Sequence, residues 1–210
     1  FAVESYKRAQ SAIEEGIFAK EIAPVTVKSR KGEDAVEIDE GPYQVKFDKL
    51  AKLRPAFEKE GTITAANAST INDGGASVIL GGEEYRDQAK YRIVSYASHA
   101  QNSTWFTTAP VSAMKKCLEK AGLNWKDIEY YEINEAFAVV PMAAIKELNL
   151  DYGRVNIYGG GVSLGHPIGC SGTRIVVTLM TALERENARY GMASICIGGG
   201  EALAMIIEKL

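Results

Sequence analysis

Residues 155–200 read VNIYGGGVSLGHPIGCSGTRIVVTLMTALERENARYGMASICIGGG, and the fold class is decided there. Val155 to Tyr158 reads as a strand, Thr173 to Glu186 as a long helix, and Met192 to Ile197 as an apolar strand. A strand, a glycine-rich connection, a helix and a second strand make one strand–helix–strand unit. On the N-terminal side, Ile128 to Ile133 predicts another strand and Glu135 to Leu148 another helix. Before them, Pro110 to Ala121 is an amphipathic helix, opened by its proline and stopped by Gly122. Arg92 to Tyr96 reads as a strand, Glu83 to Lys90 as a short helix, and Ala76 to Leu80 as a buried strand. On the C-terminal side, Leu203 to Glu208 is a strand, joined to its predecessor by a hairpin at Gly198-Gly199-Gly200. This alternation predicts an α/β fold, a mixed sheet layered with helices and closed by an antiparallel edge.

The first third of the chain has a different texture. Residues 4–15 (ESYKRAQSAIEE) form a polar helix that Gly16 stops. Ile22 to Lys28 and Ala35 to Ile38 read as strands around the charged turn Ser29 to Asp34. Asp39 to Phe57, with Pro42 and Pro55, reads as irregular. So little periodic apolar pattern does not make an independent core. The expected division is therefore residues 1–68, a helix, a ribbon and loops, and residues 69–210, the sheet domain.

The 210 residues are 46% hydrophobic and 24% charged, which excludes disorder and a disulfide scaffold. With 24 Lys+Arg against 27 Asp+Glu there is no basic excess for nucleic acid. No apolar run approaches the ~20 residues of a membrane-spanning helix. The opening Phe1-Ala2-Val3-Glu4-Ser5-Tyr6 has no signal-peptide pattern. Three widely spaced cysteines suit a reducing compartment, and a cytoplasmic location is expected. Phe1 in place of Met reads as a cut within a longer protein.

Three constellations could carry chemistry. The first is the loop 159–174, whose glycines surround His166. It lacks the Gly-Lys-Ser/Thr of a phosphate loop and the G-x-G-x-x-G of a dinucleotide loop. The plain reading is a tight strand-to-helix connection. A histidine between glycine and proline has little room to act as packing, and its imidazole titrates near neutral pH, so His166 is a candidate base. The second is Cys196-Ile197-Gly198-Gly199-Gly200. A thiol ending an apolar strand is commonly a small buried hydrophobe. The glycines that follow allow close approach and leave N–H groups to face an oxyanion. The third is Asn134-Glu135-Ala136-Phe137, where strand gives way to helix. Asn134 is either an N-cap or a polar group of a site at a strand end. Cys117 reads as core, Cys170 as packing and His99 as solvated. Zinc-type spacing is missing, and Lys28-Ser29-Arg30-Lys31 reads as a solvated turn.

Taken in order, Asn-Glu-Ala-Phe, Gly-Gly-x-x-x-x-Gly-His-Pro-x-Gly and Cys-x-Gly-Gly-Gly resemble the thiolase signature set, and so do Lys52-Leu53-Arg54-Pro55-Ala56-Phe57 and Thr64-Ala65-Ala66-Asn67-Ala68-Ser69. The resemblance spans essentially the whole chain and places it in the C-terminal half of such a fold, with residues 1–68 as the tail of a coenzyme A-binding loop region. The activity it implies is acetyl-CoA C-acetyltransferase, the reversible Claisen condensation of two acetyl-CoA molecules. It implies that His166 activates a nucleophilic cysteine, that Cys196 moves the proton at the acetyl α-carbon, that Asn134 holds an oxyanion-hole water, and that the Gly198 N–H serves a second oxyanion hole. It implies a pantetheine channel lined by Leu53, Ala65, Ser69, Ala136 and Phe137, and an acyl pocket that the bulky Phe106 keeps short. It implies no tightly bound cofactor beyond coenzyme A thioester substrates, and in some members potassium held by Tyr6, Ala65, Ala66, Ala68 and Val162. It also implies a homodimer or homotetramer. Pro42-Tyr43-Gln44-Val45-Lys46 departs from the family pattern near the coenzyme A adenine. None of Cys117, Cys170 and Cys196 sits in the nucleophile's motif, so the N-terminal thiolase half is an expected partner and this chain alone is expected to be inactive. The rival expectations are a 3-ketoacyl-CoA thiolase of fatty-acid degradation, a non-catalytic coenzyme A-binding scaffold, and a nucleotide-binding module.

Overall fold

The computed structural model describes residues 1–30 and 32–210; of the basic turn at 28–31, Lys31 lies outside the described residues. The rest of that turn is solvated, with Lys28 paired to Glu33 at 2.9 Å. Helix α1 (Ala2–Glu14) leads to the ribbon β1 (Val25–Ser29) and β2 (Gly32–Val36), an antiparallel pair exposed along its length. Two one-turn helices, α2 (Gly41–Gln44) and α3 (Phe47–Leu50), occupy the stretch expected to be irregular. Then come β3 (Tyr91–Ala100), α4 (Ala109–Ala121), β4 (Tyr130–Ile133), α5 (Val139–Leu148), α6 (Gly161–Leu164), α7 (Ser171–Arg185), β5 (Tyr190–Cys196) and β6 (Glu201–Lys209). The helices α1 and α4 stop near the expected glycines, Gly16 and Gly122, both in the left-handed region.

The main sheet has the order β3-β6-β5-β4, parallel between β4 and β5 and antiparallel elsewhere. Side chains alternate across it with period two. Met192 and Cys196 of β5, with Ala202, Ala204 and Ile206 of β6, face the core built from α4 and α5. Ala193 of β5 and Ile207 of β6 face Ile175, Leu179 and Leu183 of α7. Both faces are therefore covered, which gives the expected mixed sheet layered with helices. Helix α1 has no core of its own: Ala12 packs with Ile17, Phe18, Tyr158 and Ala182, and Tyr6 with Ala138 and Val162.

Three expected elements differ. Ala76 to Leu80 is not a strand and is not buried: Val78, Ile79 and Leu80 are 40%, 101% and 73% exposed. A strand needs a neighbour for its amides, and no strand among the described residues lies beside this one. Val155 to Tyr158 makes only isolated bridges, one of them to Tyr131. Asn156 sits in the left-handed region (φ 49°) and cannot continue a strand. The helix expected from Glu135 starts at Val139, because Ala136 and Ala138 instead bond residues 67–69.

These cores differ from the exposed segment in a measurable way. Leu179 is fully buried, so Leu179→Ala should cost about 2–5 kcal/mol in denaturant unfolding. Ile79→Ala, at a fully exposed position, should change this chain by about 0.5 kcal/mol or less.

Candidate functional site

The parallel strands β4 and β5 end side by side, and Asn134 and Cys196 lie at those ends. The Asn134 N–H donates to the Ser194 carbonyl at 2.9 Å. Its side chain caps no helix, contrary to the N-cap reading: Oδ1 and Nδ2 are both buried without a partner among the described residues. A buried amide with four unused hydrogen-bonding positions is costly and needs a ligand or water to satisfy it. Cys196 is buried against the α4–α5 core, and burial pushes its thiol up to about 11. Beyond it, the hairpin is pinned by Ile197 N–H to Glu201 O (2.8 Å) and Gly200 N–H to Ile197 O (3.0 Å). Gly200 lies so close to the Gln101 carbonyl that a Cβ there would fall 2.2 Å from its oxygen. Gly198 faces open space, and no group among the described residues accepts from its N–H.

His166 follows α6 and precedes α7. Its N–H donates to Thr70 O at 2.9 Å and it bridges Ile71 in parallel, so the 70–75 segment holds the loop from one side. Nδ1 lies 2.5 Å from Ser171 Oγ, and that hydroxyl donates to the Pro167 carbonyl at 3.0 Å. With its proton committed to Pro167, Ser171 Oγ accepts from Nδ1–H, and Nε2 keeps the lone pair. Burial, reinforced by the charge of Arg174, lowers the His166 pKa. The ring is thus a neutral base of defined tautomer. No hydrogen bond joins His166 to Cys196.

The residues expected to bind substrate fall into two groups. Ser69 donates from its N–H (3.0 Å) and its hydroxyl (2.9 Å) to Ala136 O. Phe137 packs edge-on between Phe106 (6.1 Å between ring centroids) and Phe57 (6.2 Å). Leu53 and Ala65 instead line a cavity of about 430 Å³ with Tyr6, Ala66 and Val162. Ala68 is not on that cavity wall and bridges Phe137.

Four polar residues went unselected in the sequence. Ser171 was visible only as the first residue of a helix. Asn156 bonds Ile133 N and O, each at 2.8 Å, standing in for a strand neighbour. Glu135 is wholly buried and accepts from Ser5, Asn156 and Val162. Glu132, an acid within an apolar strand, is also buried, and neither of its oxygens has a partner among the described residues. Burial raises the Glu132 pKa to about 8, against an opposing pull from Arg174. Folded Glu132 therefore keeps its proton where the unfolded chain loses it. Its contribution is whole below the unfolded value near 4.5 and is lost as pH rises toward 8. Glu132→Gln should stabilise the fold by roughly 3 kcal/mol at pH 7 and by almost nothing at pH 4, read from unfolding midpoints at both pH values.

Residues 1–84 match the sequence pattern described as thiolase, N-terminal domain, and residues 87–209 match thiolase, C-terminal domain. A probable acetyl-CoA acetyltransferase of Dictyostelium discoideum is 47% identical, over all of this chain and 52% of its own length. The crystal structure of a Bacillus anthracis acetyl-CoA acetyltransferase superposes with a TM-score of 0.96 at 43% identity, over all of this chain and 54% of that one. A thiolase of Ascaris suum solved in complex with coenzyme A gives 0.87 at 45% identity, with the same coverage. The chain spans about half the length of the curated relatives it matches. Those relatives include cytosolic and mitochondrial forms, so compartment does not follow from this segment. With both domain patterns and relatives matched over the whole chain in agreement, the chain belongs to the thiolase family.

Proposed function

We propose that these residues supply the base, the proton carrier and the oxyanion donors of an acetyl-CoA C-acetyltransferase. One observation carries the reading: the parallel strands β4 and β5 end side by side, one followed by an Asn134 amide buried without a partner among the described residues and the other ending in the buried Cys196 thiol.

The chemistry assigned to each follows from its state. His166 Nε2 takes the proton of a nucleophilic cysteine carried by a further segment or chain. That sulfur attacks the thioester carbonyl, the C–S bond to coenzyme A breaks, and the departing thiolate takes the proton of Cys196, leaving Cys196 a thiolate while His166 keeps the first proton. Cys196, as thiolate, then removes an α-proton from a second acetyl-CoA. Burial that raises a thiol to about 11 makes its thiolate a strong base for a carbon acid. The enolate carbon attacks the acetyl group on the carrier cysteine, a C–C bond forms, the C–S bond breaks, and the freed sulfur takes the proton held on His166, so that Cys196, now carrying the α-proton, and His166 return to their starting states. Negative charge develops on thioester oxygen in both steps. Asn134, through the water it satisfies, and the Gly198 N–H stabilise it without reorganising.

Coenzyme A thioesters are the substrates in this reading, and the ring of Phe106 against Phe137 supports a short acyl chain. Tyr6, Ala65, Ala66 and Val162 share one cavity wall, and the Tyr6 hydroxyl has no hydrogen-bond partner among the described residues. Neutral hydroxyl and carbonyl oxygens fit a potassium ion, with the Ala68 carbonyl the less secure member of the set. Such an ion would supply a fixed positive charge beside the substrate channel. The exposed apolar residues Ile71, Ile79 and Leu80 support burial against the N-terminal thiolase half, and a homodimer or homotetramer completes the reading.

In the protein that joins this segment to the nucleophile-bearing half, Cys196→Ala should lower acetyl exchange at least about 100-fold. Unchanged exchange, or a preference for long-chain ketoacyl-CoA over acetoacetyl-CoA, would refute the assignment. The 210 residues alone should show no steady cleavage of acetoacetyl-CoA. Ser171→Ala should free the His166 tautomer and cost about ten- to a hundredfold in kcat, with little change in KM.

A further inference from the structure

We infer that Glu135 is a positioning residue that couples Asn134 to His166. The inference rests on the assignment of His166 as base and concerns a residue that takes no part in the chemistry itself.

The geometry is specific. Glu135 lies next to Asn134 in the chain and is fully buried. Its Oε1 accepts from Asn156 Nδ2 at 2.9 Å, and the same Asn156 clamps Ile133 N and O at the end of β4. Its Oε2 accepts from Ser5 Oγ of α1 at 2.7 Å and from the Val162 N–H at 3.1 Å. Val162 lies in the first turn of α6, where backbone N–H groups have no partner within the helix. A carboxylate from 27 residues away in sequence therefore does the work of a local cap. Helix α6 ends at Leu164, two residues before His166. Glu135 thus fixes both ends of the path: the strand end that presents Asn134, and the helix that delivers His166.

The fit leaves no slack. A Cβ on Gly160 would lie 2.5–2.8 Å from the carboxyl atoms of Glu135, so the loop can come this close only with glycine at that position. Ser163 Oγ closes the other side, 2.9 Å from Ser5 Oγ and 3.1 Å from the Gly160 carbonyl. Three donors aim at two oxygens, so a glutamine cannot replace the glutamate. Its amide NH₂ would point at Asn156 Nδ2 or at the Ser5 and Val162 donors, placing donor against donor in a buried site. Burial raises the Glu135 pKa, with the bonds from Asn156, Ser5 and Val162 and the charge of Arg174 opposing it in part.

The chain carries only two histidines, so the ring signals of His166 can be assigned and its titration followed by NMR. In the wild-type chain His166 should titrate below 6.5, held there by burial and by Arg174 on α7. Glu135→Gln should loosen α6, open the ring to water and raise its titration toward 6.5. In the complete enzyme the same change should lower kcat at least tenfold, leave KM for acetyl-CoA within threefold, and move the acid limb of the kcat/KM profile upward. Loss of folded protein alone would scale the rate without moving that limb. Ser5→Ala removes one donor only, and should give a smaller change of the same sign, about two- to threefold in kcat. If Glu135→Gln does not fold, Ser5→Ala decides. A folded variant with the wild-type His166 titration and an unmoved acid limb overturns the inference. A wild-type enzyme that transfers no acetyl group would instead overturn the functional reading, and the NMR arm would still judge Glu135.

Discussion

Buried polar groups must find partners, and that requirement shapes the carboxyl end of the sheet more than any apolar contact. Asn156 leaves the strand conformation (φ 49°) and spends its side chain on the backbone of Ile133. What remains of its amide meets Glu135, which in turn draws in α1 through Ser5 and α6 through Val162. Three segments far apart in sequence, around residues 5, 133–135 and 156–162, are thereby held by one set of hydrogen bonds. Breaking one bond would strand the others in low dielectric, so the arrangement holds as a unit.

Around this knot the apolar layers behave simply. The two faces of β5 and β6 feed separate cores, one with α4 and α5 and one with α7. Their role is to keep the strand ends of Asn134 and Cys196 in register. Among the described residues the Asn134 amide is buried at that end without a partner, and the exposed Gly198 N–H meets no protein acceptor. Catalytic sites commonly hold such groups ready for charge that exists only during reaction.

His166 shows how a common side chain acquires one state. Its backbone is tied to Thr70, its Nδ1 to Ser171, and its ring is half buried beside Arg174. Each constraint comes from a different element, and together they leave a neutral ring with its lone pair on Nε2. The burial that raises the Cys196 thiol lowers the His166 imidazole, because in both cases the charged form is penalised.

Much of this was legible in the order of residues. The period-two and helical patterns from Arg92 onward yield the sheet, its helices and the closing hairpin, because those elements bury their faces against one another within the chain. The three motifs mark His166, Cys196 and Asn134, since glycine beside a reactive side chain is a local signal. Ala76 to Leu80 misled, because apolar content alone does not supply a neighbouring strand. The start of α5 also misled, because residues 67–69 capture Ala136 and Ala138. Glu135 and Asn156 carry no local signal, because what each does depends on partners 21 to 130 positions away; Glu132 matters only through its burial, and Ser171 only through the fold of the loop that brings His166 back to it. Sequence by itself determined most elements from Arg92 onward and which side chains are candidates for chemistry, because these follow from local pattern. Tertiary structure alone decided the tautomer of His166, the burial of Cys196 and the reach of Glu135, because each is set by atoms that only folding brings into contact.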